Sequence, residues 1–327
     1  MIKKVLLFGD IGIDDIIALI YAALDEEIEV VGVVASYGNI SREKAINTIS
    51  YIQELLNYKD LQVPLILGAE RPMTGEIPKE VSAIHGEYGL GPIIPPVNDA
   101  EVVENFLQII DIIEKNEDIY IANIGRLTDL ATLFILYEDL MLTVKGIYIM
   151  GGAFWVPGNI TAVAEANFHG DPVAAQLVMR YATNLTILPL NVSNQAIVTP
   201  EMVNYIDQVG QISIVKPMID YYYDFYKKRD PSIMGSPMHD VLVLMAIKNK
   251  DMFQFFSRPI TIVQSLLGEE RGQSIADIRP YEDGYYAITE TNHHQIAFQM
   301  DYQQFFFDFM TIMSSGQFDR SLYKNEK

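Results

Sequence analysis

The chain has 327 residues, half of them hydrophobic, no cysteine and a formal net charge of −20. Its length and apolar content support a large α/β core, and the missing cysteines exclude disulfides and thiolate metal sites. So negative a chain repels nucleic-acid backbones and anionic membranes and argues against a polyanionic substrate, and no apolar run is long enough to cross a bilayer.

Residues 3–8 read as a buried strand. Met1-Ile2-Lys3-Lys4 leads into an apolar run too short for a signal peptide, so the expected compartment is the cytoplasm. A helix follows over 14–24, then a β-branched strand over 28–35. Ser41 is placed to cap a helix through Leu56, and 63–67 is a third strand. After a Pro- and Gly-containing loop over 70–97, Asn98 and Glu101 read as a capping box for a helix through Lys115. Strand 119–123, helix 127–136 and strand 144–150 complete the regular half. Nearly all-apolar strands alternating with helices predict a Rossmann-like, largely parallel sheet covered on both faces. The second half is less regular: helix 172–181, strand 185–188, mostly helix over 200–228 and a helix over 240–248. Strands are expected over 259–264, 285–290 and 295–300, the last two as a hairpin. With no linker or repeat in view, the expectation is one domain over 1–327.

The first turn, Gly9-Asp10-Ile11-Gly12-Ile13-Asp14-Asp15, carries three carboxylates at the start of a helix. A dinucleotide-binding turn would need glycines there and room for a pyrophosphate. One acidic residue could serve as a helix cap, but three so close repel one another unless a proton or cation lies among them, which favours a hard cation such as calcium or magnesium. His239-Asp240 opens a later helix, where Asp240 is either another cap or a ligand distant in the chain. Gly151-Gly152-Ala153, Gly158-Asn159, Ala164-Glu165-Ala166-Asn167 and Asp171-Pro172 follow a strand. Carboxamides and a carboxylate at that end of an open sheet suit a polyhydroxylated ligand better than a plain surface loop. His85 lies in a glycine-rich loop, a weak signal alone, and the tyrosine-rich run 221–226 reads first as packing.

In order, Asp10-x-Gly12-x-Asp14-Asp15, Asn39, His85-Gly86-x-x-Gly89-Leu90-Gly91, Leu127-Thr128, Met150-Gly151-Gly152-Ala153, Gly158-Asn159, Ala164-Glu165-x-Asn167, Asp171-Pro172 and His239-Asp240 resemble the inosine–uridine preferring nucleoside hydrolases. The resemblance implies the α/β nucleoside hydrolase fold, a mixed, mostly parallel sheet flanked by helices. It also implies calcium-dependent hydrolysis of ribonucleosides to ribose and free base, and a homodimer or homotetramer. Asp10, Asp15, the Thr128 carbonyl and Asp240 match the family's calcium ligands, and Asp10 is also the expected base toward water. Asp14, Asn39, Asn159, Glu165 and Asn167 match ribose-binding positions, with Met150 lining the same pocket. His239 matches the acid toward the leaving base and His85 a histidine near that base, while tyrosines of 221–226 or Trp155 are candidates to stack on it. Two positions depart from the family pattern: Phe8 and Ile11 stand in a turn that usually reads Asp-x-Asp-Pro-Gly, and Arg126 replaces a proline before Leu127-Thr128. The altered turn motivates an alternative, a nucleoside- or sugar-binding protein without catalysis. An Asp-x-Asp phosphatase is excluded because Gly12 and Phe8 flank Asp10.

Overall fold

The computed structural model describes residues 1–56, 63–96, 103–279 and 292–319. Its strands in chain order are β1 (Lys3–Gly9), β2 (Ile28–Ala35), β3 (Leu65–Leu67), β4 (Tyr120–Asn123), β5 (Gly146–Met150) and β6 (Leu185–Leu188). They continue with β7 (Ile197–Val198), β8 (Ser236–Pro237), β9 (Phe253–Arg258), β10 (Ile260–Ile262), β11 (Ser274–Ala276) and β12 (His294–Met300). Eight form one sheet in the order β3-β2-β1-β4-β5-β6-β12-β9. Every neighbouring pair is parallel except β12–β9. The sheet is the mixed, mostly parallel α/β architecture expected from the alternating pattern.

Strand β1 shows why the apolar runs form a central sheet. Val5 and Leu7 join the core on one face, Leu6 and Phe8 the core on the other, and all four are buried. Side chains alternate across a strand, so a run apolar at every position fits only a sheet covered on both sides. The helix Ile13–Leu24 is buried from Ile13 through Ala22 and packs against Val241–Lys248 and Tyr302–Met313. Parallel pairing puts Gly9, Ala35, Leu67, Asn123, Met150 and Leu188 at one edge of the sheet. The chain leaves each strand there, at the edge where open α/β sheets bind ligands.

Several expectations needed correction. The helix ending at Lys115 starts at Gln108, because Glu104 is drawn into bridging β3: its N–H donates to Leu65 and its carbonyl accepts from Leu67. Asn98 and Glu101, the expected capping box, lie outside the described residues, as does the strand expected over 285–290. Strand β12 instead lies between β6 and β9. The long helical stretch divides into Pro200–Val209 and Val215–Arg229 around Gly210. Among the described residues no helix is long and apolar enough to cross a membrane.

Candidate active site

A cavity of about 590 Å³ opens at that edge of the sheet, a size suited to a small organic ligand. The turn after β1 contributes Asp10 and Asp14 to its lining, the segment after β2 contributes Asn39, and β5 with its following loop contributes Met150, Asn159, Glu165 and Asn167. His85, Arg126, His239 and Asp240 add to the polar lining, Glu76, Lys79, His169, Arg229 and Arg271 also border it, and Tyr222, Phe225 and Tyr226 supply aromatic rings.

One carboxylate oxygen from each of Asp14, Asp15 and Asp240 lies within 4.8 Å of the other two. Two of these groups come from the first turn and the third from more than 200 residues later, so the fold performs the convergence. Asp240 occupies the N-cap of the helix Val241–Lys248, yet its side chain makes no capping bond, which removes the bland reading of that residue. Asp15 Oδ2 accepts from the Gly12 N–H at 2.8 Å. Asp14 Oδ2 accepts from the Tyr222 hydroxyl at 3.3 Å. The remaining oxygens, Asp14 Oδ1 and Asp15 Oδ1, are buried without a hydrogen-bond partner. Burial pushes Asp14 up to about 6, and burial with the neighbouring Asp14 charge holds Asp15 and Asp240 well above the ordinary carboxylate range. Buried oxygens left unpaired among like charges favour a cation or a proton between them.

Asp10 stands apart from that trio. The Arg126 guanidinium donates to its Oδ2, the Asn39 N–H donates to Oδ2 at 3.0 Å, and the Asn39 amide donates to Oδ1 at 3.3 Å. The resemblance matched Asp10, Asp15, the Thr128 carbonyl and Asp240 to calcium ligands; the structure gathers oxygens of Asp14, Asp15 and Asp240, pairs Asp10 with Arg126, and links Asp10 to Asp15 through the Asn39 amide, which donates to both. Thr128 also has other partners. It opens the helix Thr128–Leu136, its carbonyl accepts from the Thr132 hydroxyl at 2.8 Å, and its own hydroxyl donates to Asp171 at 2.7 Å.

The polar loop after β5 is largely self-satisfied. Glu165 caps the helix Ala166–Gly170, accepting from the N–H groups of Asn167, Phe168 and Gly152. Asn167 donates to the carbonyls of Ile124 and Met150, and Asn159 accepts from the Ala166 N–H. These bonds fix three side chains that line the cavity.

Two histidines flank it. His85 Nδ1 accepts from the Ile13 N–H at 3.1 Å, and its ring lies 5.5 Å from that of Tyr222. His239 stands between Ser193 Oγ, 2.8 Å from Nδ1, and the Tyr226 hydroxyl, 3.3 Å from Nε2. Burial pulls His85 down to about 3 and His239 to about 4, so both rings are neutral near pH 7. Trp155 is 75% exposed, donates its indole N–H to Ala276, and does not line the cavity; the aromatic rings that do are Tyr222, Phe225 and Tyr226. Sequence reasoning missed Ser193, which lies in an unremarkable short helix. It also missed Arg271, which ties the rim together by donating to Glu76 and to the carbonyls of His169 and Leu266. Neither sits in a motif that would have drawn attention.

The family model for inosine-uridine preferring nucleoside hydrolases matches residues 5–307. The chain belongs to that family. It is 30% identical over 260 residues to uridine nucleosidase 1 of Arabidopsis thaliana, covering 77% of this chain and 76% of that one. It is 28% identical over 313 residues to the pyrimidine-specific ribonucleoside hydrolase RihA of Escherichia coli O9:H4 (strain HS), covering 93% and 96%. Among solved structures, it is similar to a purine-preferring ribonucleoside hydrolase from Gardnerella vaginalis at a TM-score of 0.85 and 26% identity, over 96% of this chain and 99% of that one. A plant nucleoside hydrolase, PpNRh1, shares the fold at a TM-score of 0.88 and 22% identity, over 95% and 99%. The chain is therefore a hydrolase acting on N-glycosyl compounds, with a small-molecule nucleoside as substrate, and the hydrolase reading prevails over the purely binding one.

Proposed function

We propose that the chain cleaves the N-glycosidic bond of ribonucleosides to ribose and free base with calcium held at the mouth of β1, as one domain acting in the cytoplasm. The observation that carries the metal part is the buried trio Asp14, Asp15 and Asp240, with two oxygens lacking any hydrogen-bond partner. Hard carboxylate oxygens that cannot reach water suit a hard cation, and no lysine or arginine among the described residues pairs with these three. Asp14, Asp15 and Asp240 would hold it, with Asp10 as a further ligand once free of Arg126. When bound, calcium supplies coordination for a sugar diol and acidifies water.

The rest is the work of side chains. Cleavage passes through a sugar with oxocarbenium character, and fixed negative charge close by stabilises it without reorganisation. Asp14, Asn39, Asn159, Glu165 and Asn167 line the same cavity, and there they can bind the ribose hydroxyls. Asp10 is the base toward water, and the Asn39 N–H and side-chain amide orient its carboxylate. A hydroxyl stands within hydrogen-bond distance of each nitrogen of the neutral His239, Ser193 at Nδ1 and Tyr226 at Nε2. The His239 N–H can hydrogen-bond to the leaving base as negative charge grows there, while Tyr222, Phe225 and Tyr226 offer the base apolar faces.

The test is reducing-sugar release from uridine, cytidine, inosine and adenosine, before and after exhaustive chelation and again after calcium is restored. Turnover of at least one nucleoside, lost on chelation and recovered with calcium, is the expected result. Absence of turnover on all four would sink the hydrolase reading for these substrates, and turnover indifferent to chelation would remove the calcium.

A further inference from the structure

Among the described residues Arg126 is the one arginine or lysine bonded to the acidic centre of the cavity, and the space around it is shaped for that role. Its side chain is 10% exposed and that of Asp10 1%. A second, longer bond runs from the guanidinium to Asn167 Oδ1 at 3.4 Å. The stem passes over Gly170, where an added Cβ would come within 2.7 Å of Arg126 Cγ and 2.8 Å of Nε. On the other side, a Cβ at Gly38 would fall 1.9 Å from Asp10 Oδ2. The missing side chains at these two positions leave room for the ion pair. Burial lowers Arg126 to about 10 while the charges of Glu165 and Asp240 hold it up, so it stays protonated at neutral pH.

We infer, resting on the calcium reading above, that Arg126 is a built-in rival of the divalent cation: by holding Asp10 it withholds a ligand and sets how tightly the centre binds metal. The reason is charge and occupancy together. Asp14, Asp15 and Asp240 form no ion pair with a lysine or arginine among the described residues, whereas recruiting Asp10 means breaking a buried, charge-assisted bond. The guanidinium also adds a positive charge inside the same low-dielectric cavity, which repels an incoming divalent ion. Removing it frees Asp10 and makes the centre one unit more negative.

Calcium alone, without nucleoside, is titrated calorimetrically into the full-length wild type, Arg126→Gln and Gly170→Ala, and thermal unfolding of each is followed with and without calcium. In Arg126→Gln the calcium Kd falls by on the order of tenfold or more, and calcium raises its Tm further than it raises that of the wild type. Gly170→Ala keeps the charge but displaces the guanidinium from Asp10, and gives a smaller tightening in the same direction. That variant decides the matter if Arg126→Gln fails to fold. Wild type that binds calcium with a Kd unchanged or weakened by both substitutions overturns the inference and leaves the metal reading intact. Failure of every protein to bind calcium overturns both.

Discussion

His239 shows how a single side chain is prepared by its surroundings. Desolvation keeps it neutral, while Ser193 and Tyr226 occupy its two nitrogens and fix its plane. A neutral ring held in this way can offer an N–H to the negative charge that develops on the leaving base. His239→Ala is expected to slow inosine hydrolysis by ~10²–10⁴-fold, and to slow a nitrophenyl riboside, whose leaving group needs no proton, far less. Equal losses on the two substrates, measured as kcat/KM, would remove His239 from the leaving-group role. At this scale the sequence was partly legible. Residue types and spacing marked the acidic turn and His239-Asp240 as special, but not which carboxylates meet. That depends on Arg126, a side chain whose reach to Asp10 spans 116 positions and has no local signature. Ile11 is another such case: its φ is +50°, a conformation closed to proline, so this turn differs in backbone from one built on Asp-Pro-Gly.

Among the elements, the strands of the first half were legible because burial on both faces demands uninterrupted β-branched and aliphatic residues. The helix Tyr302–Met313 was not assigned. Its buried set, Phe305, Phe309, Met310 and Met313, has helical spacing, but the adjoining Phe306 and Phe307 blur the pattern. Strand β9, FQFFSR, was missed because its sheet position rests on antiparallel pairing with β12, distant in sequence. Three helices far apart in the chain are joined by one polar cluster. Lys248 Nζ bonds Asp25, Asp308 at 3.0 Å and the Tyr21 hydroxyl at 2.9 Å, and Tyr21 donates to Asp308. Lys248→Met leaves Asp25, itself buried, without its cation. The expected cost is about 3–5 kcal/mol of unfolding free energy, read from urea denaturation. A loss below about 1 kcal/mol would mean that the cluster is effectively solvated.

Across the whole molecule, a net charge of −20 coexists with histidines buried in neutral form. His294 is the one remote from the cavity: Nε2 lies 2.8 Å from the Met179 carbonyl and Nδ1 has no partner. Burial lowers its pKa below the ordinary 6.5, so below that pH the unfolded chain takes up a proton that the folded chain refuses. Stability contributed at this position is present above pH 6.5 and is lost as the pH falls through that value. Replacing His294 with Gln, which can still donate to Met179, is expected to flatten the stability-versus-pH slope below pH 6.5; an unchanged slope would assign acid sensitivity elsewhere.

The room that Gly170 leaves for the Arg126 stem has a consequence beyond this molecule. The two positions form a steric pair, so they are expected to vary together among homologous sequences. Where arginine appears at the first, any side chain at the second forces the guanidinium to swing elsewhere. An alignment in which arginine at 126 coexists freely with bulky residues at 170 would show that evolution does not guard this contact.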